Sequence, residues 1–145
     1  MKKAIVVIIF FITNIVTLCL NFSVSPTKFE VDLSKDGTYE AYLLNNTPNP
    51  LRIEVYTEVP KRYEENNLNK NIIIYPKKIS IKPGGKKEIR FKVKSIKNIN
   101  KKTYKTLLVF RESLPNIKEK IETRNSGINM NLNFITEIAI GVYGK

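Results

Sequence analysis

The sequence contains no histidine and no tryptophan, and it has a single cysteine among 145 residues. The missing histidine excludes a histidine-based catalytic triad and an ordinary zinc site, because imidazole is the usual base and ligand in such sites. Paired carboxylates are present at Glu64 and Glu65 and at Glu119 and Glu122, but both pairs lie in polar stretches where solvated charge is the ordinary arrangement. We therefore expect no enzymatic activity, no cofactor and no metal site.

Long apolar runs are also missing, with one exception at the N-terminus. Lys2 and Lys3 precede an apolar stretch from Ala4 to Leu20. A basic start followed by such a stretch is typical of a secretory signal peptide, which we expect to cover residues 1–21 and to direct export to the periplasm. An uncleaved membrane anchor stays open as an alternative, because the stretch is barely long enough to span a bilayer.

The single cysteine, Cys19, lies within that stretch. Thr17 and Cys19 are small residues that could precede a cleavage site, although the site is not of the usual Ala-x-Ala type. A lipid anchor on Cys19 fits poorly with Leu18 and Leu20 on either side. If cleavage follows Cys19, the exported protein has no cysteine and therefore neither disulfide nor thiolate chemistry.

Acidic residues are few: there are 13 aspartates and glutamates against 25 lysines and arginines, which gives a net charge of +12. A charge of that size favours acidic partners or anionic surfaces. The lysines are nevertheless spread along the chain and alternate with apolar residues, as in KKEIRFKVK, and no nucleic-acid-binding motif accompanies them. We expect no nucleic acid partner and interpret these lysines as solvated outer faces of strands.

What the sequence does contain is an alternation of apolar and polar residues, which recurs from Val24 to Val142 without a helical period. Clusters such as SKDG, NNTPNP and KPGG separate the alternating segments, and Pro76 predicts an edge or a break within one of them. About seven short strands are expected, at spacings of roughly 10 to 20 residues. The pattern predicts an all-β fold, a single immunoglobulin-like antiparallel β-sandwich over residues 22–145.

The last segment, residues 128–145, raises the question of what its apolar face contacts. Asparagines alternate with four apolar residues, Ile128, Met130, Leu132 and Phe134. These side chains either continue the inner face of the last strand or form an edge that binds a partner. Residues 128–142 would span about 50 Å at about 3.3 Å per residue, whereas strands usually have about five or six residues. We therefore expect the asparagine-containing half to overhang the domain.

Several motifs resemble those of the N-terminal domain of periplasmic pilus (fimbrial) chaperones, the PapD-like family. Residues 71–93, NIIIYPKKISIKPGGKKEIRFKV, are similar to the family's proline-ended strand, Pro-Gly turn and arginine-bearing strand. The matching residues are Pro76, Ile79, Pro83, Gly84, Ile89 and Arg90. VFRESLP, residues 109–115, and SPTKF, residues 25–29, fit two further family motifs. The resemblance covers the whole exported part.

This resemblance implies a chaperone that shields a fimbrial or other surface subunit by β-strand addition. The four apolar residues of the last segment would form the partner-binding strand, and Lys28 would contact the C-terminal carboxylate of the subunit. A second basic position of the family falls near Ala139 or Ile140, neither of which can bind an anion. The family's second domain is expected to be absent, because the sequence stops at VYGK where that domain should begin.

An alternative stays open: an exported immunoglobulin-like module with a structural or adhesive role in a surface assembly and no chaperone activity. In that case the last strand belongs to the core of the domain. Self-association through the last-strand edge is a further expectation for the resting protein. Contact with a membrane is expected only if the N-terminal segment is retained.

Overall fold

The computed structural model describes residues 20–97, 99, 103–114 and 134–145. These residues contain nine β-strands and no helix that is long and apolar enough to cross a membrane. The strands are β1 (Phe22–Ser25), β2 (Lys28–Val31), β3 (Gly37–Asn45), β4 (Leu51–Glu58), β5 (Ile72–Tyr75), β6 (Lys78–Ile81), β7 (Lys86–Val93), β8 (Tyr104–Glu112) and β9 (Glu137–Gly144). The predicted all-β class is confirmed.

The strands form two sheets that pack face to face. One sheet has the order β1-β3-β7-β5, and the other has the order β2-β9-β8-β4-β6. Neighbouring strands are antiparallel except for β2 and β9, which run parallel. The predicted immunoglobulin-like sandwich is therefore confirmed, with nine strands described in place of about seven and with one parallel pair that the alternation did not indicate.

Two prolines account for the additional strands. Pro26 separates β1 from β2, and Pro76 separates β5 from β6. At each proline the chain passes from one sheet to the other. Proline lacks the backbone N–H that a continuous ladder needs, so a strand that contains it cannot pair without interruption. The break predicted at Pro76 is therefore a change of sheet.

The period of two in the sequence determines which side chains enter the core. Alternate residues of β4, β7 and β8 are buried, among them Ile53, Phe91 and Phe110. The ring of Phe91 lies 4.9 Å from that of Phe29 in the facing sheet and 5.6 Å from that of Tyr39 in its own sheet, measured between centroids. Burying a large apolar side chain completely contributes about 1.5 to 3 kcal/mol before the entropy of ordering is subtracted.

A buried asparagine closes one end of the sandwich. Asn45, the last residue of β3, donates from its side-chain amide to the carbonyl oxygens of Asn49, Ile81 and Lys82 at 2.7, 3.2 and 3.1 Å. Its side-chain oxygen accepts from the backbone N–H and the hydroxyl of Thr47, both at 2.8 Å. A polar side chain buried this completely is stable only with such partners. Asn45 therefore ties the loop before β4 to the loop after β6.

Candidate partner-binding edge

One lateral edge of strand β9, the edge away from β8, is paired with another strand along only half of its length. β2 pairs with β9 from Lys28 opposite Gly141 to Val31 opposite Gly144. No described strand pairs with the same side of Glu137–Ile140, while the other side of β9 pairs with β8 along the whole strand. We call the uncovered outer side of Glu137–Ile140 the open edge.

The open edge presents backbone hydrogen-bonding groups. Just before β9, the carbonyl of Thr136 accepts a hydrogen bond from the N–H of Glu112 in β8 at 2.9 Å. In an antiparallel ladder alternate residues bond to the same neighbour, so even-numbered residues of β9 bond to β8. The N–H and C=O groups of Glu137 and Ala139 consequently point to the open edge. Unpaired backbone groups of this kind are a template for an added strand.

The side chains near the open edge divide between the core and solvent. Ile140 is buried and Ile138 is half-buried on the inner face, whereas Ala139 is exposed on the outer face. Just before β9, Phe134 and Ile135 expose 82% and 46% of their surface. Apolar side chains this exposed, beside uncovered backbone, are the surface that an added strand would bury.

Of the four residues predicted for the partner-binding strand, Phe134 is the one that lies within the described part of the chain. Ile128, Met130 and Leu132 lie outside the described residues, and their contacts stay a prediction. Phe134 lies three positions before the first residue of β9, and its side chain is exposed outside the core. The high exposure of Phe134 is what an overhanging segment requires.

Two lysines converge on one carboxylate beside the covered half of β9. Nζ of Lys28 lies 3.1 Å from Oε1 of Glu30, and Nζ of Lys145 lies 3.5 Å from Oε2 of the same side chain. The hydrogen bond from Lys28 and the charge of Lys145 lower the pKa of Glu30 below its ordinary value. All three side chains are more than half exposed, so these ion pairs contribute little to stability.

Lys145 is the residue of this cluster that sequence reasoning missed. The structure places Gly141 opposite Lys28 and brings Lys145 to the same carboxylate that Lys28 contacts. The N–H of Lys145 donates to the carbonyl of Val31 at 3.1 Å, which brings the end of β9 alongside the end of β2. No local signal marks Lys145, because its position depends on the parallel register of two strands more than 100 residues apart.

The first residue of β9 is held by side chains of the next two strands of its sheet, β8 and β4. Glu137 accepts a hydrogen bond from the hydroxyl of Tyr56 in β4 at 3.1 Å, and it lies 3.7 Å from Nε of Arg111 in β8. Partial burial and the hydrogen bond to Glu137 raise the pKa of Tyr56 above its ordinary value. Across the described ranges, no group of three or more acidic, cysteine or histidine side chains could hold a metal ion.

Comparison with solved structures shows which known proteins share this fold. The Escherichia coli chaperone DraB matches with a TM-score of 0.61 and 7% sequence identity, over 87% of this chain and 55% of its own. The SafB chaperone of Salmonella enterica, in complex with the SafA pilin, matches with a TM-score of 0.61 and 9% identity, over 89% of this chain and 56% of its own. The fold is similar to that of pilus chaperones. This chain spans about half the length of the chaperones it matches.

A second group of proteins matches the same fold. SSP-19 of Caenorhabditis elegans, a member of an MSP-domain-like family, matches with a TM-score of 0.55 and 9% identity, over 84% of this chain and 97% of its own. No protein-family model matches the sequence, and no curated protein matches it in sequence. At these identities the similarity shows the fold alone.

Proposed function

We propose that this chain is a chaperone-like binding protein of the periplasm, not an enzyme, that shields a fimbrial or other surface subunit by β-strand addition. The observation that carries the proposal is the open edge, because β2 covers β9 only from Gly141 to Gly144. A subunit strand paired with the backbone of Glu137 and Ala139 would continue the five-stranded sheet into the partner.

Apolar contacts would supply most of the affinity of this complex. Phe134 and Ile135 are already exposed beside the open edge, and Ile128, Met130 and Leu132 precede them in alternation with asparagine. Each of these side chains, if buried completely in a partner, would contribute about 1.5 to 3 kcal/mol before the cost of ordering. The backbone ladder would add affinity, and the alternate side chains would set the register.

Positive charge beside the open edge would hold a carboxylate. Lys28 stands opposite Gly141, the first covered residue of β9, and in the proposed complex it contacts the C-terminal carboxylate of the subunit. Lys145 is the second cation of the same cluster. Each lysine offers a point charge in place of the planar fork of an arginine. The carboxylate of the subunit would take the place that Glu30 occupies in the uncomplexed protein.

A structural or adhesive module is the second candidate function. The observation that favours it is the match to 97% of the SSP-19 chain, in which nearly the whole chain has this fold. A module of this kind would belong to a surface assembly and would capture no subunit. Its last strand would contribute to the core of the domain and to contacts with neighbouring copies.

The two functions differ in whether the open edge captures another protein. We would express the tagged full-length chain in its native host, purify it from the envelope and identify bound proteins by mass spectrometry. Ala139→Pro removes a backbone donor from the open edge and blocks strand addition there. We expect the wild-type protein to retain a pilin-like or other surface subunit and Ala139→Pro to lose it.

Ser80→Pro is the matched control, because it makes the same change on another edge strand. The N–H of Val55 in β4 donates to the carbonyl of Lys77 just before β6 at 2.7 Å. Odd-numbered residues of β6 therefore bond to β4, and the N–H of Ser80 points to solvent. This variant should retain the subunit as the wild type does. Capture that survives Ala139→Pro would overturn the strand-addition proposal, and the absence of any captured subunit in the wild type would favour the structural module.

A further inference from the structure

Glu112, the last residue of β8, is the only buried charged residue in the part of the chain that the structure describes, with 9% of its surface exposed. Its Oε2 accepts hydrogen bonds from Nδ2 of Asn21 at 2.8 Å and from the N–H of Thr136 at 3.3 Å. Both donors are neutral, and no described lysine or arginine forms an ion pair with Glu112. A buried carboxylate is costly when no cation compensates it.

Asn21 and Glu112 line one groove, which has a volume of about 580 Å³. The loop from Thr47 to Leu51 also lines the groove, as do Ser113 and Leu114. Arg52 and Glu112 are the two charged residues that line the groove, and they are not ion-paired with each other. The groove therefore has room for a cationic group and one buried anion to bind it.

The N-terminal segment reaches this groove at Asn21, whose side-chain amide donates to Glu112. The carbonyl of Leu20 accepts a hydrogen bond from the side-chain amide of Asn46 at 3.1 Å, and the carbonyl of Asn21 accepts one from the N–H of Asn46 at 2.9 Å. Leu20 and Asn21 are thus already held by the domain, although Asn21 falls within the leader expected from the sequence. Cleavage after Cys19 would leave Leu20 as the first residue, directly before Asn21.

We propose that the groove at Glu112 binds an ammonium group, and that its occupant is the α-ammonium of Leu20 formed when the leader is removed. This proposal rests on the export and processing that belong to the proposed function. A signal peptidase would hydrolyse the Cys19–Leu20 peptide bond with one water, leaving a carboxylate on Cys19 and an amine on Leu20, which takes up a proton. The ammonium then donates to Glu112, whose carboxylate accepts charge-assisted hydrogen bonds.

This ion pair would couple removal of the leader to the residue directly before the open edge, Thr136. Glu112 bonds to Thr136 through its side chain and through its backbone N–H, and Thr136 directly precedes β9. A processed N-terminus that anchors Glu112 therefore also stabilises the start of β9, the strand that carries the open edge. The processed protein is expected to be more stable than one whose N-terminus is blocked.

The test compares two forms of residues 20–145, the chain that processing would leave: one with a free α-amine and one with an acetylated α-amine. At pH 7 the free form should melt about 4 °C higher, the size expected of one moderate interaction in a domain of this length. Glu112→Gln should remove this difference. Equal melting temperatures of the two wild-type forms would overturn the proposal.

The pH dependence identifies the amine as the titrating group. An α-amino group has an ordinary pKa of about 7.7 to 8.0, and pairing with Glu112 raises it. The extra stability is then complete below about pH 7.7 and is lost as the pH rises through the raised pKa. Arg52, the other charged group in the groove, stays protonated over this range. A difference between the two forms that does not change up to about pH 11 would contradict the assignment.

Two further measurements separate the sources of the ammonium group. Mass spectrometry of the exported protein should find Leu20 as its first residue, and a start at any other residue would overturn the assigned occupant.

Methylammonium added to the acetylated form should restore its melting temperature in the wild type but not in Glu112→Gln. Equal stabilisation of both forms by methylammonium would mean that the groove accepts an external amine and that the α-ammonium does not occupy it. None of these measurements involves partner capture, so a failure of this proposal can be distinguished from a failure of the strand-addition proposal.

Discussion

Lys28 and Gly141 lie opposite each other in the parallel strands β2 and β9, and the pairing of β2 with β9 begins at these two residues. On one side of the pair β2 completes the sheet, and on the other side Glu137–Ile140 keep one edge uncovered. Pro26 sets this division, because β2 begins only after the chain has changed sheet at that residue. One strand therefore both closes the sandwich and offers an edge to a partner.

Ala139→Pro is expected to leave the domain folded, whereas Ile140→Pro is expected to unfold it. The N–H of Ala139 points to the open edge, so its loss breaks no bond within the domain. Ile140 pairs with Leu108 and is buried, so proline there removes a ladder bond and a core side chain. In urea unfolding, the free energy of unfolding should fall by about 1 kcal/mol for Ala139→Pro and by about 3 kcal/mol or more for Ile140→Pro. Equal losses would mean that the N–H of Ala139 bonds within the domain.

The double variant Met130→Lys with Leu132→Lys tests the overhang expected from the sequence. We expect it to stay folded, to lose partner capture and to lose any edge-paired dimer. An overhanging side chain lies outside the core, so a charge there does not destabilise the domain, but it does prevent burial in a partner. Circular dichroism would follow the fold, and sedimentation would follow self-association. Phe110→Lys is the control, since Phe110 is fully buried and a charge there costs several kcal/mol. If the double variant unfolds as this control does, the two residues are core and strand addition loses its physical support.

Lys28→Met should weaken partner binding and reduce its dependence on salt, because it removes one cation from the proposed carboxylate contact. The same change should raise the pKa of Glu30 toward its ordinary value, since the hydrogen bond from Lys28 is the largest cause of its lowering. Nuclear magnetic resonance titration of the Glu30 carboxyl measures this shift directly. Lys35→Met, a change at another exposed lysine, is the control. Unchanged capture at low and high salt would leave Lys28 as solvated surface.

Asp36 is expected to make stability fall in acid. Its Oδ1 accepts a hydrogen bond from the N–H of Ser95 at 2.9 Å, and its Oδ2 lies 2.9 Å from Nζ of Lys92. These contacts, the bond from Ser95 first, lower its pKa to about 2. The folded-state pKa is depressed, so the contribution is present above about pH 4 and is lost as the pH falls toward about 2. Carboxyl titration should show this value, and Lys92→Met should raise it. An unshifted Asp36 in the wild type would contradict the prediction.

The sequence by itself determined the class of fold and the side chains that face the core. Alternation of apolar and polar residues is a local property of an extended backbone, so the residue pattern alone assigns positions such as Ile89, Phe91 and Val93 to one face, and all three are buried. Pro76 likewise predicted an interruption from chemistry that proline carries in any context. The alternation of apolar residues with asparagine over residues 128–134 could also be read from the sequence, and Phe134, its one described apolar member, is exposed.

Only the tertiary structure decided which strands are neighbours and which edge stays open. A period of two assigns faces but does not specify partners, because every strand with an apolar face is compatible with many others. The parallel pairing of Lys28 with Gly141, the approach of Lys145 to Glu30 and the burial of Glu112 beside Asn21 all join residues far apart in the chain. The first two contacts exist because β2 and β9 become neighbours in one sheet, and the third exists because the two sheets pack around one core. No local pattern encodes such proximity.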